Sequence, residues 1–238
     1  MPSAIFKQKP GTDEENISFY NEIASNYDSI LDQESSNEII RNRVKEKLIS
    51  TVEVGWVLDF GGGTGRDLDW LINNQYKVVF CEPSVGMREK AISRYEHHVL
   101  ADNIIFLEND KVDFTNWHAE PPFSIKVDAI LSDFAVINCI ANIDLLFKNL
   151  AQIIKPQGHM IALMLNYGFK KTWRWKVREF IKSVISRKPV VINVKYNEYQ
   201  QTVYVYSPGK IKKASAAYFD MVGSETLFEF TLFHFVRK

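Results

Sequence analysis

Four glycines lie within five positions of the chain, directly after a short apolar run that ends in an acid. The run covers residues 56–58, the acid is Asp59, and the glycines are Gly61, Gly62, Gly63 and Gly65. Apolar residues with helical spacing then follow from Leu68. A strand, a glycine turn and a helix in this order bring bare backbone against a ligand at a helix N-terminus. We therefore expect residues 59–65 to form a ligand-binding turn.

The spacing of this turn separates two classes of ligand. It reads D-x-G-x-G-x-G, whereas a dinucleotide turn reads G-x-G-x-x-G, and the sixth position counted from Gly61 is Arg66. Asp59 would repel a pyrophosphate, but it suits a ligand that carries an ammonium group. The segment resembles motif I of the class I S-adenosylmethionine (SAM) methyltransferases. The resemblance implies a methyltransferase that uses SAM and releases S-adenosylhomocysteine (SAH), and it disfavours a nucleotide-dependent oxidoreductase.

A second acid ends the next apolar run. Glu82 follows residues 78–81, at about the distance from the glycines where a βαβ unit places an acid against a ribose. Its carboxylate could accept hydrogen bonds from both ribose hydroxyls. Pro83 stops the strand, and Ser84 is a suitable N-cap for a helix. The stretch from Glu82 to Met87 resembles the post-I segment of the same family, which implies that Met87 lies against the adenine.

Two further strand ends agree with this resemblance. Residues 103–107 lead to Asp110, which the resemblance places at the adenine amino group, although Asp113 is an alternative. Residues 127–131 lead to a segment that resembles motif IV, so that 135–140 would line the methyl-transfer pocket. Ligands of open α/β sheets bind outside the carboxyl ends of the strands. The predicted cofactor-binding residues are Tyr20, Tyr27, Asp59, Phe60, Gly61, Gly62, Gly63, Gly65, Glu82, Pro83, Met87, Asp110, Lys111, Ser132, Asp133 and Phe134.

The N-terminal part supplies the two tyrosines of this set. Aromatic and aliphatic residues recur at helical spacing through residues 19–31. Within them, Ala24-x-x-Tyr27-Asp28 resembles a family segment that covers the cofactor, which implies a lid that contains Tyr20 and Tyr27. The alternative is a helix that packs its aromatic side chains on the sheet. We expect residues 1–16 to be a mobile tail and 17–50 to be lid and scaffold helices.

Strand and helix patterns alternate from residue 54 to residue 165, which predicts a doubly wound sheet with helices on both faces. We expect a mostly parallel, seven-stranded α/β sheet that ends in an antiparallel C-terminal hairpin around Gly223 and Ser224. Residues 17–238 would form one SAM-methyltransferase domain. The family resemblance is good over 17–165, loose at the C-terminal end, and almost absent over 166–206. We interpret this last range as an inserted helix and β-ribbon that cap the acceptor.

The insertion is strongly basic. Residues 170–188 contain eight basic residues and one acid, Glu179, together with an apolar stripe that includes Trp173. Such a helix could close a dry acceptor pocket and hold an anionic acceptor, or its basic face could simply stay solvated. A membrane surface also fits a basic amphipathic helix, and nucleic-acid contact is the weakest of the interpretations.

The acceptor side offers polar residues but no convincing general base, so the catalytic residues stay unknown. Substrate-side candidates are Asn138, Asn166, Tyr167 and Trp173. An amide such as Asn138 could orient an acceptor but cannot act as a base at neutral pH. We expect a methyl transfer to a small-molecule acceptor, apolar or anionic. The alternatives are an RNA or protein acceptor, and a SAM-binding protein without turnover.

Composition limits the remaining partners. The chain has 238 residues and a formal net charge of zero, which offers no general argument for nucleic-acid binding. Its two cysteines, Cys81 and Cys139, show no metal-ligand spacing, and no apolar run is long enough to cross a bilayer. We expect a cytoplasmic protein without a metal, and the sequence predicts no oligomeric state.

Overall fold

The computed structural model describes residues 14–100, 103–166 and 188–238. Seven of its strands form one sheet in the order β3-β2-β1-β4-β5-β9-β8. The first five run parallel, and β9 and β8 are antiparallel additions beside β5. The strands are β1 Trp56–Phe60, β2 Lys77–Cys81, β3 Ile104–Phe106, β4 Val127–Ser132, β5 Ile154–Leu165, β6 Val190–Tyr196, β7 Tyr199–Val205, β8 Phe219–Leu227 and β9 Phe230–Arg237. The predicted α/β sheet with its C-terminal hairpin is confirmed.

Helices cover both faces of the sheet, as the alternation of elements predicts. Two buried clusters lie on opposite sides of it, so that neighbouring strand residues such as Val57 and Leu58 belong to different clusters. One cluster contains apolar residues of α3, α4 and α5, and the other contains residues of α6 and α7. The helices are α1 Glu14–Ile23, α2 Tyr27–Asp32, α3 Ser36–Ile49, α4 Leu68–Asn73, α5 Val85–Leu100, α6 Ile143–Ile153 and α7 Pro208–Ser215.

The N-terminal region differs from the sequence prediction in two respects. Residues 14–16, assigned to a mobile tail of residues 1–16, are the start of α1, and Asn16 is buried. The Asn16 amide explains this order, because its Nδ2 donates to the carbonyl oxygens of Cys139 and Thr202 and its Oδ1 accepts from the Thr202 amide. The predicted continuous helix is also broken, since a turn separates α1 from α2.

The predicted ribbon is formed by β6 and β7, which pair antiparallel as a separate sheet around a turn at Asn197. Its strand β7 packs against α1. Most of the predicted basic helix falls on residues 167–187, which lie outside the described residues.

The C-terminal hairpin does not turn at Gly223 and Ser224, so the predicted position of its turn is wrong. Gly223 and Ser224 lie inside β8, and the chain reverses at Phe228 and Glu229, where Phe228 has a φ of 52°. Alternating burial continues through the whole of β8, and the pairing with β9 shifts between Met221 and Gly223. Glycine is tolerated at such a bulge in an edge strand, so it did not mark a turn here.

No helix in the described part of the chain is both long enough and apolar enough to span a membrane.

Candidate active site

A pocket opens at the carboxyl ends of β1, β2 and β4 and is bordered by α1 and α2. Its empty volume is about 910 Å³ when the open mouth is included. This is the edge at which open α/β sheets bind ligands. Most of the predicted cofactor-binding residues line it, namely Tyr20, Tyr27, Phe60, Gly61, Gly62, Gly63, Glu82, Pro83, Met87, Asp133 and Phe134. The fold therefore brings them to one place, while their contact with a cofactor stays a prediction.

The glycine turn needs its glycines for two different reasons. A Cβ on Gly62 would lie 2.2 Å from the Phe80 ring and 2.6 Å from Asp59 Oδ2, so no side chain fits there. Gly63 has a φ of 58°, and a Cβ at this position would face Tyr27 across 3.7 Å. Bare backbone at Gly63 therefore leaves free the space between the turn and Tyr27.

Glu82 is held rigidly in the wall of this pocket. Its Oε2 accepts a hydrogen bond from the Gly63 amide at 2.9 Å, and its Oε1 accepts one from the Ser84 amide at 2.7 Å. Burial raises the pKa of Glu82 to about 7, although these two amides oppose the rise. Each carboxylate oxygen keeps a further lone pair. The side chain is therefore oriented to accept hydrogen bonds from two adjacent hydroxyls of a ligand.

A second charged group lies near the ends of β1 and β4. Arg41 of α3 contacts Asp67 at 2.5 Å and Asp133 at 3.7 Å, and its guanidinium lies over the Phe134 ring. Arg41 and Asp67 line the pocket but were not predicted to do so. The sequence presented Arg41 only as one basic residue on the polar face of a scaffold helix, with no local motif to distinguish it.

Three acids, Asp59, Asp67 and Asp133, lie near the single guanidinium of Arg41. Burial raises the pKa of Asp59 well above its usual value, and Asp67 and Asp133 raise it further against the opposing effect of Arg41. Burial and Asp67 likewise raise the pKa of Asp133 to about 7. Within the described residues, Asp59 Oδ2 and Asp133 Oδ2 are buried without a hydrogen-bond partner. A bound cation would compensate these carboxylates, so this end of the pocket suits an ammonium group.

The helices α1 and α2 are fastened directly to the ligand-binding loops. Asp28 of α2 accepts hydrogen bonds from Thr64 at 2.5 Å and from Arg94. Asn21 of α1 accepts hydrogen bonds from the Ser84 hydroxyl at 2.7 Å and the Gly86 amide at 3.1 Å. These links place Tyr20 and Tyr27 on the pocket wall, with their rings edge-on at 6.1 Å.

Five predicted cofactor residues do not line the pocket. Asp59 and Ser132 are buried and directly precede the lining residues Phe60 and Asp133. Gly65 faces Ala91 and Leu68, Asp110 is exposed, and Lys111 pairs with Glu120 at 2.7 Å. The strand β3 ends at Phe106, and the chain beyond it turns Asp110 outward, so that Val112 contributes to the wall instead. The alternative acid Asp113 is also exposed, and it caps a short helix through the Thr115 amide.

Neither of the two substrate-side candidates within the described residues, Asn138 and Asn166, lines the pocket. Asn138 is fully buried and does not line the pocket, because its Nδ2 donates to the Tyr204 carbonyl and its Oδ1 accepts from the Leu165 amide. It therefore connects the segment after β4 with β5 and β7. Asn166 lies at the end of β5 but outside the pocket wall. Tyr167 and Trp173 lie outside the described residues.

One wall of the pocket consists of neutral side chains from two elements. α1 contributes Asn16, Ile17 and Tyr20, and the segment after β4 contributes Val136, Cys139 and Ile140. Phe134 and Ala135 have φ values of 43° and 66°, and the chain there turns sharply into a short helix, Val136–Cys139. In the described part of the chain, no histidine lines the pocket, and no cluster of His, Cys, Asp and Glu could hold a metal.

Comparisons with known proteins agree with this geometry. A family model described as a methyltransferase domain matches residues 32–214. An uncharacterized methyltransferase of Oceanobacillus iheyensis is 25% identical over 143 residues, which cover 60% of this chain and 54% of the relative. The chain thus spans about half the length of the curated relative that it matches.

Several solved structures share the fold. A DhpI–SAM–HEP complex has a TM-score of 0.69 and 18% identity, covering 98% of this chain and 100% of its own. The N-methyltransferase NodS from Bradyrhizobium japonicum, crystallised with SAH, has a TM-score of 0.63 and 13% identity, covering 94% and 99%. The Burkholderia thailandensis 1,6-didemethyltoxoflavin-N1-methyltransferase, with bound 1,6-didemethyltoxoflavin and SAH, has a TM-score of 0.66 and 10% identity, covering 94% and 88%.

The match of the family model extends over far more than half of the chain, and the sheet order and the glycine turn agree with it. The chain therefore belongs to the methyltransferase-domain family, within the class I SAM-dependent methyltransferases that its motifs predict.

Proposed function

We propose that this protein transfers a methyl group from SAM to a small-molecule acceptor. The observation that carries the proposal is the presence, in one pocket, of a fixed buried carboxylate at Glu82 and of a second carboxylate at Asp133, whose Oδ2 is buried without a hydrogen-bond partner. The Glu82 carboxylate suits the two hydroxyls of a ribose, and the Asp133 carboxylate suits the ammonium of an amino acid. SAM carries both groups.

The residues present fit this cofactor in further respects. The bare backbone at Gly63 permits close approach, and Arg41 offers a guanidinium for the carboxylate of the methionine part. Met87, with Pro83, gives an apolar surface suited to an adenine ring. Tyr20 and Tyr27 would form the lid that the sequence predicts. When bound, SAM supplies a methyl group on a sulfonium that is already reactive towards nucleophiles.

The protein's own contribution would then be alignment and exclusion of water. α1 and α2 are tied to the glycine turn and to the loop after β2, so they hold the roof of the pocket in place. The neutral wall of α1 and the Val136–Cys139 helix provides a surface on which an acceptor can be oriented. Positioning of this kind accounts for large rate accelerations in two-substrate reactions.

A small acceptor is favoured because α1 covers the pocket and is anchored there by the buried Asn16. A macromolecule would have to displace this helix. The solved relatives include N-methyltransferases, among them one bound to 1,6-didemethyltoxoflavin, a small molecule.

A fractionated cell extract tests the proposal. We expect SAM-dependent release of SAH when the protein is supplied with the small-molecule fraction obtained by ultrafiltration. SAH formation would be measured by mass spectrometry, with heat-inactivated protein as the control. Release of SAH with the RNA or protein fraction alone would contradict a small acceptor, and binding of SAM without turnover in any fraction would contradict an enzyme.

Replacing Glu82 with alanine should weaken SAM binding by about 1.5–3 kcal/mol, the usual range for a hydrogen bond to a charged group. Calorimetry should be done near pH 8, because Glu82 has a pKa of about 7 and must be ionised. Glu53→Ala, which removes an exposed acid just before β1, is the matched control and should bind SAM as the unaltered protein does. Equal SAM affinity in the Glu82 and Glu53 variants would contradict the ribose assignment.

A further inference from the structure

The charges of the pocket are separated from its neutral wall. The charged side chains that line it are Arg41, Arg66, Asp67, Glu82 and Asp133, which belong to α3, to the residues directly after the glycine turn and to the ends of β2 and β4. The wall formed by α1 and the Val136–Cys139 helix, so far as the structure describes it, has no charged side chain. An ion buried against this wall would lack a partner, which is strongly unfavourable.

Most polar groups of this wall are already committed. Both N–H groups of the Asn16 amide and one lone pair of its oxygen are used by the backbone of Thr202 and Cys139, which fixes α1 to the ribbon. Asn16 therefore serves as a clamp and has little capacity left for a ligand. The Tyr20 hydroxyl, in contrast to the Asn16 amide, can still donate a strong hydrogen bond to a ligand, because its neighbours orient the hydroxyl but offer its proton only a weak acceptor.

The neighbours of the Tyr20 hydroxyl determine what it can offer. Gln201 of β7 donates from Nε2 to Tyr20 Oη at 2.7 Å, so the tyrosine oxygen is the acceptor of this bond. The Tyr20 proton can then point to the Cys139 sulfur at 3.7 Å, or to a bound molecule. A thiol is a weak acceptor, so an oxygen or nitrogen of a ligand would replace it.

The Tyr20 hydroxyl also keeps its proton. Burial raises the pKa of Tyr20 well above its usual value, and Cys139 and Tyr27 raise it further. Tyr20 is therefore a neutral hydrogen-bond donor near physiological pH, and it is not a base.

Resting on the proposed methyl transfer, we propose that the acceptor is an uncharged, largely apolar molecule, and that Tyr20 determines specificity by donating a hydrogen bond to an oxygen or nitrogen atom on it. Ile17, Val136 and Ile140 supply the apolar contacts, and Gln201 and Cys139 position the hydroxyl.

Four aromatic probes of similar size test this proposal on the full chain saturated with SAH. Acetophenone is neutral and has a hydrogen-bond acceptor, ethylbenzene is neutral without one, benzoate is an anion, and benzylammonium is a cation. Titrations followed by ligand-observed NMR at neutral pH should give the tightest binding for acetophenone, about tenfold tighter than ethylbenzene. The two ions should bind at least about tenfold more weakly than acetophenone.

Two single-atom variants locate the hydrogen bond. Tyr20→Phe should reduce acetophenone binding to the level of ethylbenzene. Tyr196→Phe removes the same atom from an exposed tyrosine of the ribbon that does not line the pocket, and it should preserve the preference for acetophenone. The SAH affinity of each variant is measured first, so that all titrations are made on the SAH complex.

The outcomes separate this inference from the proposed function. If SAH does not bind, the proposed function fails, and the inference falls with it. If SAH binds but benzoate or benzylammonium binds as tightly as acetophenone, the neutral acceptor is wrong while methyl transfer stands. Benzoate as the preferred probe would instead indicate an anionic acceptor. An unchanged ratio between acetophenone and ethylbenzene in Tyr20→Phe, or no acetophenone binding to the SAH complex, would overturn the role of Tyr20.

Discussion

Gly63→Val is expected to reduce SAM affinity by more than about 100-fold. The new side chain would project from the glycine turn towards Tyr27, where a Cβ would already be in contact at 3.7 Å, and would fill space that the cofactor needs. Valine also cannot easily adopt the φ of 58°, which for a β-branched residue costs roughly 1–3 kcal/mol. The Gly63 amide would then be displaced from Glu82, with the loss of one of the bonds that orient this carboxylate.

Isothermal titration calorimetry with SAM measures this effect, and circular dichroism checks that the variant is folded. Gly209→Val is the matched control, because a Cβ at Gly209 meets nothing within 4 Å and the position lies in α7. This control should bind SAM as the unaltered protein does. A folded Gly63→Val protein with SAM affinity within about threefold of the unaltered protein would refute the placement of the cofactor along this turn.

Arg41→Met should destabilise the protein by about 3–5 kcal/mol at pH 8, the usual effect of removing one partner from a buried charge group. Methionine keeps much of the apolar contact but leaves Asp67 and Asp133 without their guanidinium. Urea unfolding measures the change. Arg43→Met on the same helix is the control, because its pairs with Glu46 and Glu225 are exposed or half-exposed, and ion pairs of this kind contribute little to stability.

The effect of Arg41→Met should depend on pH in a defined direction. The folded-state pKa of Asp133 is about 7, above its usual value, so the folded protein holds this proton more strongly than the unfolded chain. The stabilisation of the folded state that comes from the protonated Asp133 is fully present below about pH 4 and is lost as the pH rises through about 7. Without Arg41 the pKa of Asp133 and Asp59 rises further, because Arg41 lowers both. The destabilisation should therefore be smaller at pH 5 than at pH 8.

A pH-independent loss of stability, or a loss no larger than that of Arg43→Met, would show that Arg41 does not compensate these acids. The comparison uses the protein without cofactor, because a bound ammonium group would also stabilise the acids at high pH.

Much of the site could be predicted because it depends on short-range patterns. The glycine turn and Glu82 each follow a strand, and the topology of a parallel sheet brings the carboxyl ends of its strands to one edge. The helix start at Ser84 was equally predictable, since its side chain accepts a hydrogen bond from the Met87 amide three residues later. Gly61, Gly63 and Gly65 all have positive φ, as a turn of this type requires.

Other features could be decided only by packing between distant segments. Arg41 meets Asp67 and Asp133 because α3 lies against the sheet, and nothing in its local sequence indicates this. Asp110 follows the predicted end of a strand, but β3 already ends at Phe106, and the turn that follows exposes the Asp110 side chain to solvent.

The sequence by itself therefore determined the family, the sheet and most of the residues that line the pocket at the ends of β1, β2 and β4, because strand ends and turns are local and the topology places them together. The tertiary structure alone decided the neutral wall. Asn16 lies 186 residues from Thr202, and Tyr20 lies 181 residues from Gln201. Contacts over such distances depend on how the ribbon folds back onto α1, and the spacing of residues along the chain carries no signal for that.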